Sequence, residues 1–168
     1  CMRQIILSFL IFIFSSMAHA DKNMKIGSKG KESEVSRVVK VVMYDNYYEP
    51  SSFQINAGET IKFEVENAGE LVHEFNIANK MMHMKHQPEM EKMVENEILF
   101  ADSIDKDKMK KMAKMDKSMG HSHSNSVLLE PKQTGDIIWK FDNAMNIEVA
   151  CNVPGHYQAG MIAKVNIK

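Results

Sequence analysis

Apolar and polar residues alternate with a period of two over several short stretches between residue 37 and the C-terminus. Alternation of this kind predicts β-strands with one buried face and one polar face. The positions on the buried faces are Val39, Val41 and Met43; Ile61, Phe63 and Val65; Ile137, Trp139 and Phe141; Ile147, Val149 and Cys151; and Met161, Ala163, Val165 and Ile167. Asn56-Ala-Gly58-Glu supplies a turn between two of these strands.

His73 falls on such a buried face. It shares its parity with Phe75 and Ile77, opposite Glu74 and Asn76. A neutral imidazole in a core needs a polar partner or a metal. A hydrogen-bonded core histidine would satisfy this pattern as well as a metal ligand would, so the interpretation of His73 depends on what else the chain offers.

Further candidate metal ligands lie near the C-terminus, in Cys151-Asn-Val-Pro-Gly-His156-Tyr-Gln-Ala-Gly-Met161. A thiol, an imidazole and a thioether stand five residues apart here, on a turn that joins two predicted strands. Thiolate and thioether are soft ligands and imidazole suits copper, so the trio favours Cu over Mg, Ca or Mn. A trigonal copper site with two His, one Cys and a weak axial Met needs a second imidazole, and His73 is the best candidate.

The ligand stretch resembles that of the cupredoxins, small Greek-key β-sandwich proteins that hold one type 1 copper ion. Its Cys-x4-His-x4-Met spacing is similar to that of rusticyanin and auracyanin, and longer than the Cys-x2-His loop of plastocyanin. The resemblance extends to Pro50-x2-Phe53-x-Ile55-x-Ala57-Gly58-x2-Ile61-x-Phe63-x-Val65-x-Asn67, followed by His73. It covers residues 37–79 and 126–168 and implies an all-β sandwich with copper at one pole. One departure is Glu74, since many cupredoxins have Asn or Ser after the first His ligand.

Residues 80–125 have a different composition and interrupt the predicted domain of residues 37–168. This insert contains nine Met and four His, and its candidate ligands for additional Cu(I) are Met81, Met82, His83, Met84, His86, Met109, Met112, Met115, Met119, His121 and His123. Pro88 predicts one helix start, and Asp102-Ser103 predicts the cap of a second helix that ends at Gly120. The stripe from Met109 to Met119 would equally suit packing on a core.

The first twenty residues resemble a secretory signal, with Arg3, an apolar run from Ile5 to Phe14 and Ala18-His19-Ala20. Cleavage there leaves Cys151 as the single thiol of a periplasmic protein, where an unpaired cysteine suits metal binding. Residues 21–36 are polar and aperiodic and predict a flexible linker. We expect no membrane insertion after cleavage, and an uncleaved anchor is the alternative.

Charge and size exclude several classes of function. The 21 basic and 22 acidic residues give no electrostatic footprint for nucleic acid. Nitrite reductases and multicopper oxidases need further copper sites and usually further domains, so a single cupredoxin unit argues against an enzyme of these classes. Oxidation of Cu(I) is the one catalytic activity that stays open, and we expect a monomer.

Two functions then remain. The Met/His-rich insert favours copper handling and tolerance, as in exported cupredoxins associated with copper resistance. The alternative is a soluble one-electron carrier. The expected partners are copper ions and a redox or copper-trafficking protein.

Overall fold

The computed structural model describes residues 25–142, 144 and 146–168, so the predicted signal segment 1–20 lies outside the described residues. Among the described residues, no helix combines the length and apolar character needed to cross a bilayer. The strands are β1 Ser28–Lys29, β2 Arg37–Tyr44, β3 Tyr47–Glu49, β4 Ser52–Ile55, β5 Thr60–Asn67, β6 His73–Asn79, β7 Ser126–Leu129, β8 Thr134–Lys140, β9 Ile147–Ala150 and β10 Ile162–Ile167.

These strands form the two sheets of a β-sandwich, which confirms the predicted fold class. One sheet has the order β1-β8-β5-β2-β3 and the other the order β4-β10-β9-β6-β7. The pairs β2–β5 and β4–β10 are parallel, and the other pairs of neighbours are antiparallel. The second sheet places β6 beside β9, so His73 and the residues around Cys151 reach the same end of the sandwich.

The predicted alternation sets which side chains enter the core. Ile61, Phe63 and Val65 are buried on β5, and Ile137 and Trp139 are buried on β8. Aromatic rings from both sheets meet between them, with Phe63 in contact with Phe53, Phe75 and Phe141. Aromatic pairs of this kind add to the stabilisation that comes from buried area alone.

Residues 25–36, the described part of the predicted linker 21–36, contain two short regular elements. Residues 28–29 form β1, which pairs with Trp139 and Lys140 of β8, and Glu32–Glu34 form a 3-10 turn. The indole N–H of Trp139 donates to the carbonyl of Ile26 at 2.7 Å. A polar, aperiodic composition therefore did not prevent order, because backbone pairing with an edge strand requires no side-chain pattern.

The insert between β6 and β7 contains two helices, α1 Lys80–Glu95 and α2 Lys106–Ala113. The predicted helix start at Pro88 is wrong, because α1 begins eight residues earlier, where the side chain of Asn79 accepts a hydrogen bond from the N–H of Met82 at 2.9 Å. Pro88 lies inside the helix. The segment 81–86 is therefore helical.

The second predicted helix is shorter than expected. Asp105, rather than Asp102-Ser103, caps α2 by accepting from the N–H of Lys108 at 2.8 Å. The helix ends at Ala113, and a separate 3-10 turn, Lys117–Gly120, follows it. Gly120 therefore ends the turn and not the helix.

The insert packs on the outer face of β6, which makes both faces of that strand buried. All residues from His73 to Asn79 are buried, including Glu74 and Asn76 on the face opposite His73. Met90 and Met93 of α1, with Ile98 and Leu99 after it, are fully buried with the core. In the predicted methionine stripe, Met119 is buried, Met109 and Met112 pack against the core, and Met115 is 73% exposed.

Candidate metal centre

The turn between β9 and β10 is closed by its own backbone. The N–H of Cys151 donates to the carbonyl of Met161 at 3.2 Å, and the N–H of Met161 donates to the carbonyl of His156 at 3.0 Å. Gly155 and Gly160 have φ values of +90° and +91°, which a residue with a Cβ rarely adopts. The three residues predicted from this loop are therefore held together before any ligand is considered.

His73, Cys151 and His156 bring three donor atoms to one point. Nδ1 of His73 lies 3.2 Å from Nδ1 of His156, and Sγ of Cys151 lies 3.4 Å from Nδ1 of His156 and 4.0 Å from Nδ1 of His73. Donors bonded to one metal at about 2.0–2.3 Å lie roughly 3.3–3.8 Å from each other. The observed spacings match this closely enough for one metal ion to fit among the three atoms.

Met161, the fourth predicted ligand, is fully buried immediately before β10. Its backbone N–H and carbonyl bind the other two loop residues, so its position is coupled to theirs. A thioether in this place is chemically suited to a weak axial bond to copper.

Asp45 orients His73 from the side away from the donor cluster. Its Oδ1 lies 2.9 Å from Nε2 of His73, and its carboxylate also accepts from the backbone N–H groups of Glu70 and Leu71. This contact fixes the tautomer that leaves Nδ1 free for a metal. Sequence analysis missed Asp45, because it lies 28 residues before His73 in a turn and carries no local signal of that contact.

Burial governs the protonation of the donor groups. It lowers the pKa of His73, which the hydrogen bond and charge of Asp45 oppose, and it lowers the pKa of His156, helped by the nearby His73. Both imidazoles are therefore suited to act as neutral ligands. Burial also raises the pKa of the Cys151 thiol to about 12, so the free thiol is protonated at neutral pH, and a bound metal ion would displace that proton.

Glu74 contacts the centre through its backbone. Its N–H donates to Sγ of Cys151 at 3.3 Å. The fully buried side chain turns to the opposite face of β6, where it accepts from the N–H and the amide Nδ2 of Asn152 at 3.1 and 2.7 Å. Burial would raise its pKa, but hydrogen bonds and charge from His121 and His86 hold that pKa well below its usual value.

The predicted auxiliary ligands are divided among three environments. Met81, Met84 and Met115 are exposed, with 49%, 60% and 73% of their surface accessible. Met82, Met109 and Met112 are half-buried against the core, and Met119 and His83 are buried. His86, His121 and His123 lie together beside Glu74 and Glu89.

Comparison with known proteins agrees with this architecture. The model of the "Cupredoxin-like domain" family matches residues 4–103. The chain is 36% identical over 173 aligned residues to the "Copper-resistant cuproprotein CopI" of Pseudomonas aeruginosa, a match that covers 95% of this chain and 91% of that protein. The protein of the same name from Rubrivivax gelatinosus is 29% identical, over 90% of this chain and 79% of its own length.

The fold has solved counterparts. Auracyanin B superposes with a TM-score of 0.59 and 15% identity, covering 87% of this chain and 99% of its own. Auracyanin from Roseiflexus castenholzii gives a TM-score of 0.56, also with 15% identity, over 80% and 98%. With the family match over more than half of the chain and the long CopI alignments, these findings show that the chain belongs to the cupredoxin family and is related to the CopI proteins.

Proposed function

We propose that this cupredoxin is exported to the periplasm, binds one redox-active type 1 copper ion through His73, Cys151, His156 and Met161, and serves copper handling and tolerance. The observation that carries the proposal is the convergence of two Nδ1 atoms and one Sγ atom within 3.2–4.0 Å of each other at the end of the sandwich. The copper ion would supply a one-electron couple between Cu(I) and Cu(II).

The donor set suits both oxidation states of copper. Thiolate and thioether favour Cu(I), whereas imidazole is acceptable to both. The ligands are buried or half-buried and tied by backbone bonds, by Asp45 and by Glu74, so they keep their places when the charge of the bound ion changes. Because the ligands do not move, the reorganisation energy of electron transfer is small. The protein needs no substrate pocket for this role, and we propose that it is not an enzyme.

Two observations support tolerance as the physiological role. The relatives from Pseudomonas aeruginosa and Rubrivivax gelatinosus bear the name copper-resistant cuproprotein. The insert also exposes three thioethers, those of Met81, Met84 and Met115, although exposed side chains of this size are usually polar. Thioethers are soft ligands that suit Cu(I), so these side chains would capture cuprous ions at the surface.

Complementation of a deletion strain tests the role. The wild-type chain should restore growth on copper, and Cys151→Ser should not. A triple change of Met81, Met84 and Met115 to Leu should reduce tolerance, because Leu keeps the volume and removes the sulfur. Val38→Leu, at an exposed position on β2 without sulfur, is the control. Full tolerance with Cys151→Ser would refute the proposal.

The alternative function, one-electron carriage between proteins, is favoured by a different observation. An apolar depression of about 390 Å³ lies beside His156 and is lined by Leu71, Val94, Leu99, Phe100, Val153 and Pro154. Phe100 and Val94 are exposed there. A surface of this kind beside a metal ligand suits brief contact with a redox or copper-trafficking partner. Fast electron exchange that is lost in Phe100→Glu, with tolerance unchanged, would favour this function.

A further inference from the structure

The carboxylate of Glu74 has two oxygens, and each faces a different part of the chain. Its Oε2 accepts from the backbone N–H and from Nδ2 of Asn152, at 3.1 and 2.7 Å. Its Oε1 lies 3.0 Å from Nε2 of His86 and 2.8 Å from Nε2 of His121. Asn152 directly follows Cys151, and both histidines belong to the insert. One buried side chain therefore connects the insert to the loop that carries the copper ligands.

These contacts require Glu74 to be ionised. Nδ2 of Asn76 adds a further N–H donor to Oε1, at 2.9 Å. An ionised carboxylate only accepts hydrogen bonds, whereas a protonated carboxyl would need an acceptor for its own O–H. The neighbours of Glu74 can all donate, so His86 and His121 each present Nε2 to it as an N–H group. A fully buried anion needs such donors, and the insert supplies two of them.

The charge of Glu74 lies close enough to the copper ligands to act on them. Its own backbone N–H donates to Sγ of Cys151 at 3.3 Å, and its carboxylate binds the residue that follows Cys151. Burial removes most of the water that would screen the charge. A negative charge stabilises Cu(II) more than Cu(I), because Cu(II) carries the higher positive charge. The carboxylate therefore lowers the reduction potential of copper held by Cys151, and donors that offset its charge raise that potential.

We propose that the insert sets the reduction potential of the copper centre through Glu74, because N–H groups of His86 and His121 offset part of the charge of this carboxylate. This role rests on the proposed function, since it presupposes copper at Cys151. The two histidines act here as hydrogen-bond donors to Glu74 and not as metal ligands. A rearrangement of the insert that moved either ring would change the potential without displacing a copper ligand.

Voltammetry of variants loaded with one equivalent of copper tests this link. Glu74→Gln keeps a carbonyl oxygen for Asn152 but removes the charge, so the potential should rise. His121→Leu removes one donor and leaves the charge of Glu74 less balanced, so the potential should fall. His121→Gln should restore most of this loss, because the amide nitrogen of Gln is as many bonds from Cα as Nε2 of His is.

The variants at position 121 are matched for backbone strain. His121 has a φ of +43°, a conformation that disfavours Leu and Gln alike, so the difference between them reports the side chain. In the double variant Glu74→Gln with His121→Leu, the charge is already absent, so the potential should equal that of Glu74→Gln alone. His123→Leu is the control, since exposed His123 lies in the same segment beside His86 and Glu89, and its loss should leave the potential unchanged.

Three results would overturn the proposal. They are equal potentials in wild type, Glu74→Gln and His121→Leu, additive shifts in the double variant, or a shift in His123→Leu as large as that in His121→Leu. The last result would show that the loss of any imidazole from the insert moves the potential. If Leu at position 121 prevents folding, His86→Leu on α1 removes the other donor and should also lower the potential.

The visible charge-transfer band separates this role from the proposed function. It should remain in every variant, because the copper ligands are unchanged. A wild-type protein that lacks the band would refute the proposed copper centre itself. A wild-type protein that has the band, with potentials that do not respond to Glu74 and His121, would refute only the role of the insert.

Discussion

The backbone N–H of Glu74 lies 3.3 Å from Sγ of Cys151 and donates to it. Glu74 stands where many cupredoxins carry Asn or Ser after the first histidine. Glu74 contributes only its main-chain N–H to this contact, so the contact does not depend on the type of side chain at position 74. The carboxylate points to the other face of β6 and binds Asn152 at the start of the ligand loop.

Cys151→Ser should abolish the intense visible absorption of the Cu(II)-loaded protein. This absorption comes from charge transfer between thiolate and copper, and a hydroxyl cannot replace the thiolate. His73→Ala should bleach or shift the band, because one imidazole donor is lost. His83→Ala serves as a control. Absorption spectra of the copper-loaded variants measure the band. An unchanged band in Cys151→Ser would exclude the proposed ligand set.

Met161→Leu should retain copper and raise the reduction potential. The axial bond is weak, so its loss costs little affinity, and removal of a donor destabilises Cu(II) more than Cu(I). Met43→Leu, at a buried core methionine on β2, should leave the potential unchanged. Voltammetry of the two variants measures the shift. Complete loss of copper from Met161→Leu would contradict an axial role.

Asp45→Ala should weaken copper binding by about 10–100-fold, as is typical when the partner of a metal-bound histidine is removed. The change frees Nε2 of His73 and allows the ring to rotate. Asp136→Ala is the control, since Asp136 lies on β8 and pairs with Lys62 instead. Competition with a chelator measures both affinities, and equal values would show that Asp45 does not orient His73.

Met93→Ala should lower the free energy of unfolding by about 2–5 kcal/mol, because Met93 is fully buried where α1 meets the core. Met84→Ala, on the exposed side of the same helix, should change it by less than about 0.5 kcal/mol. Denaturant unfolding compares the two. The burial of Met90 and Met93 also implies that a Gly/Ser linker in place of residues 80–125 would expose the outer face of β6 and destabilise the domain.

Glu59→Gln should destabilise the protein at neutral pH but not in acid. The hydrogen bond from Arg37, at 2.6 Å, lowers the pKa of Glu59 despite the opposing effect of partial burial. A carboxylate with a lowered folded pKa stabilises above its unfolded value of about 4.3, and this contribution is lost as the pH falls through the folded pKa. The unfolding temperatures of wild type and variant, measured from pH 7 to pH 2, should therefore converge in acid.

The sequence pattern predicted the parts of the fold that depend on alternation and loop spacing. The burial of Ile61, Phe63 and Val65 follows from a period of two, and the meeting of His73 with Cys151 follows from their shared core-facing parity. Asp45 and the burial of Glu74 could not be predicted in this way. Both depend on contacts between segments far apart in the chain, and a buried carboxylate looks like a surface residue until its partners are known.

The helical boundaries were also missed for a physical reason. Pro88 is a strong signal for a helix start, but the side chain of Asn79 provides the cap nine residues earlier. The turns before the proline are stabilised by the buried His83 and His86, and those after it by the buried Met90 and Met93. Tertiary packing outweighed local preference.

Asn79 is at once the last residue of β6 and the cap of α1, so strand and helix follow each other without a connecting loop. A single residue inserted at this junction would turn α1 by about 100° relative to β6, carrying His83 and His86 away from the sheet. One inserted within β6 would exchange its two faces and place Glu74 where His73 now lies. Insertions and deletions among homologous chains should therefore occur at the other end of the insert, between Gly120 and Ser126. The loop there can change length without moving α1 or β6.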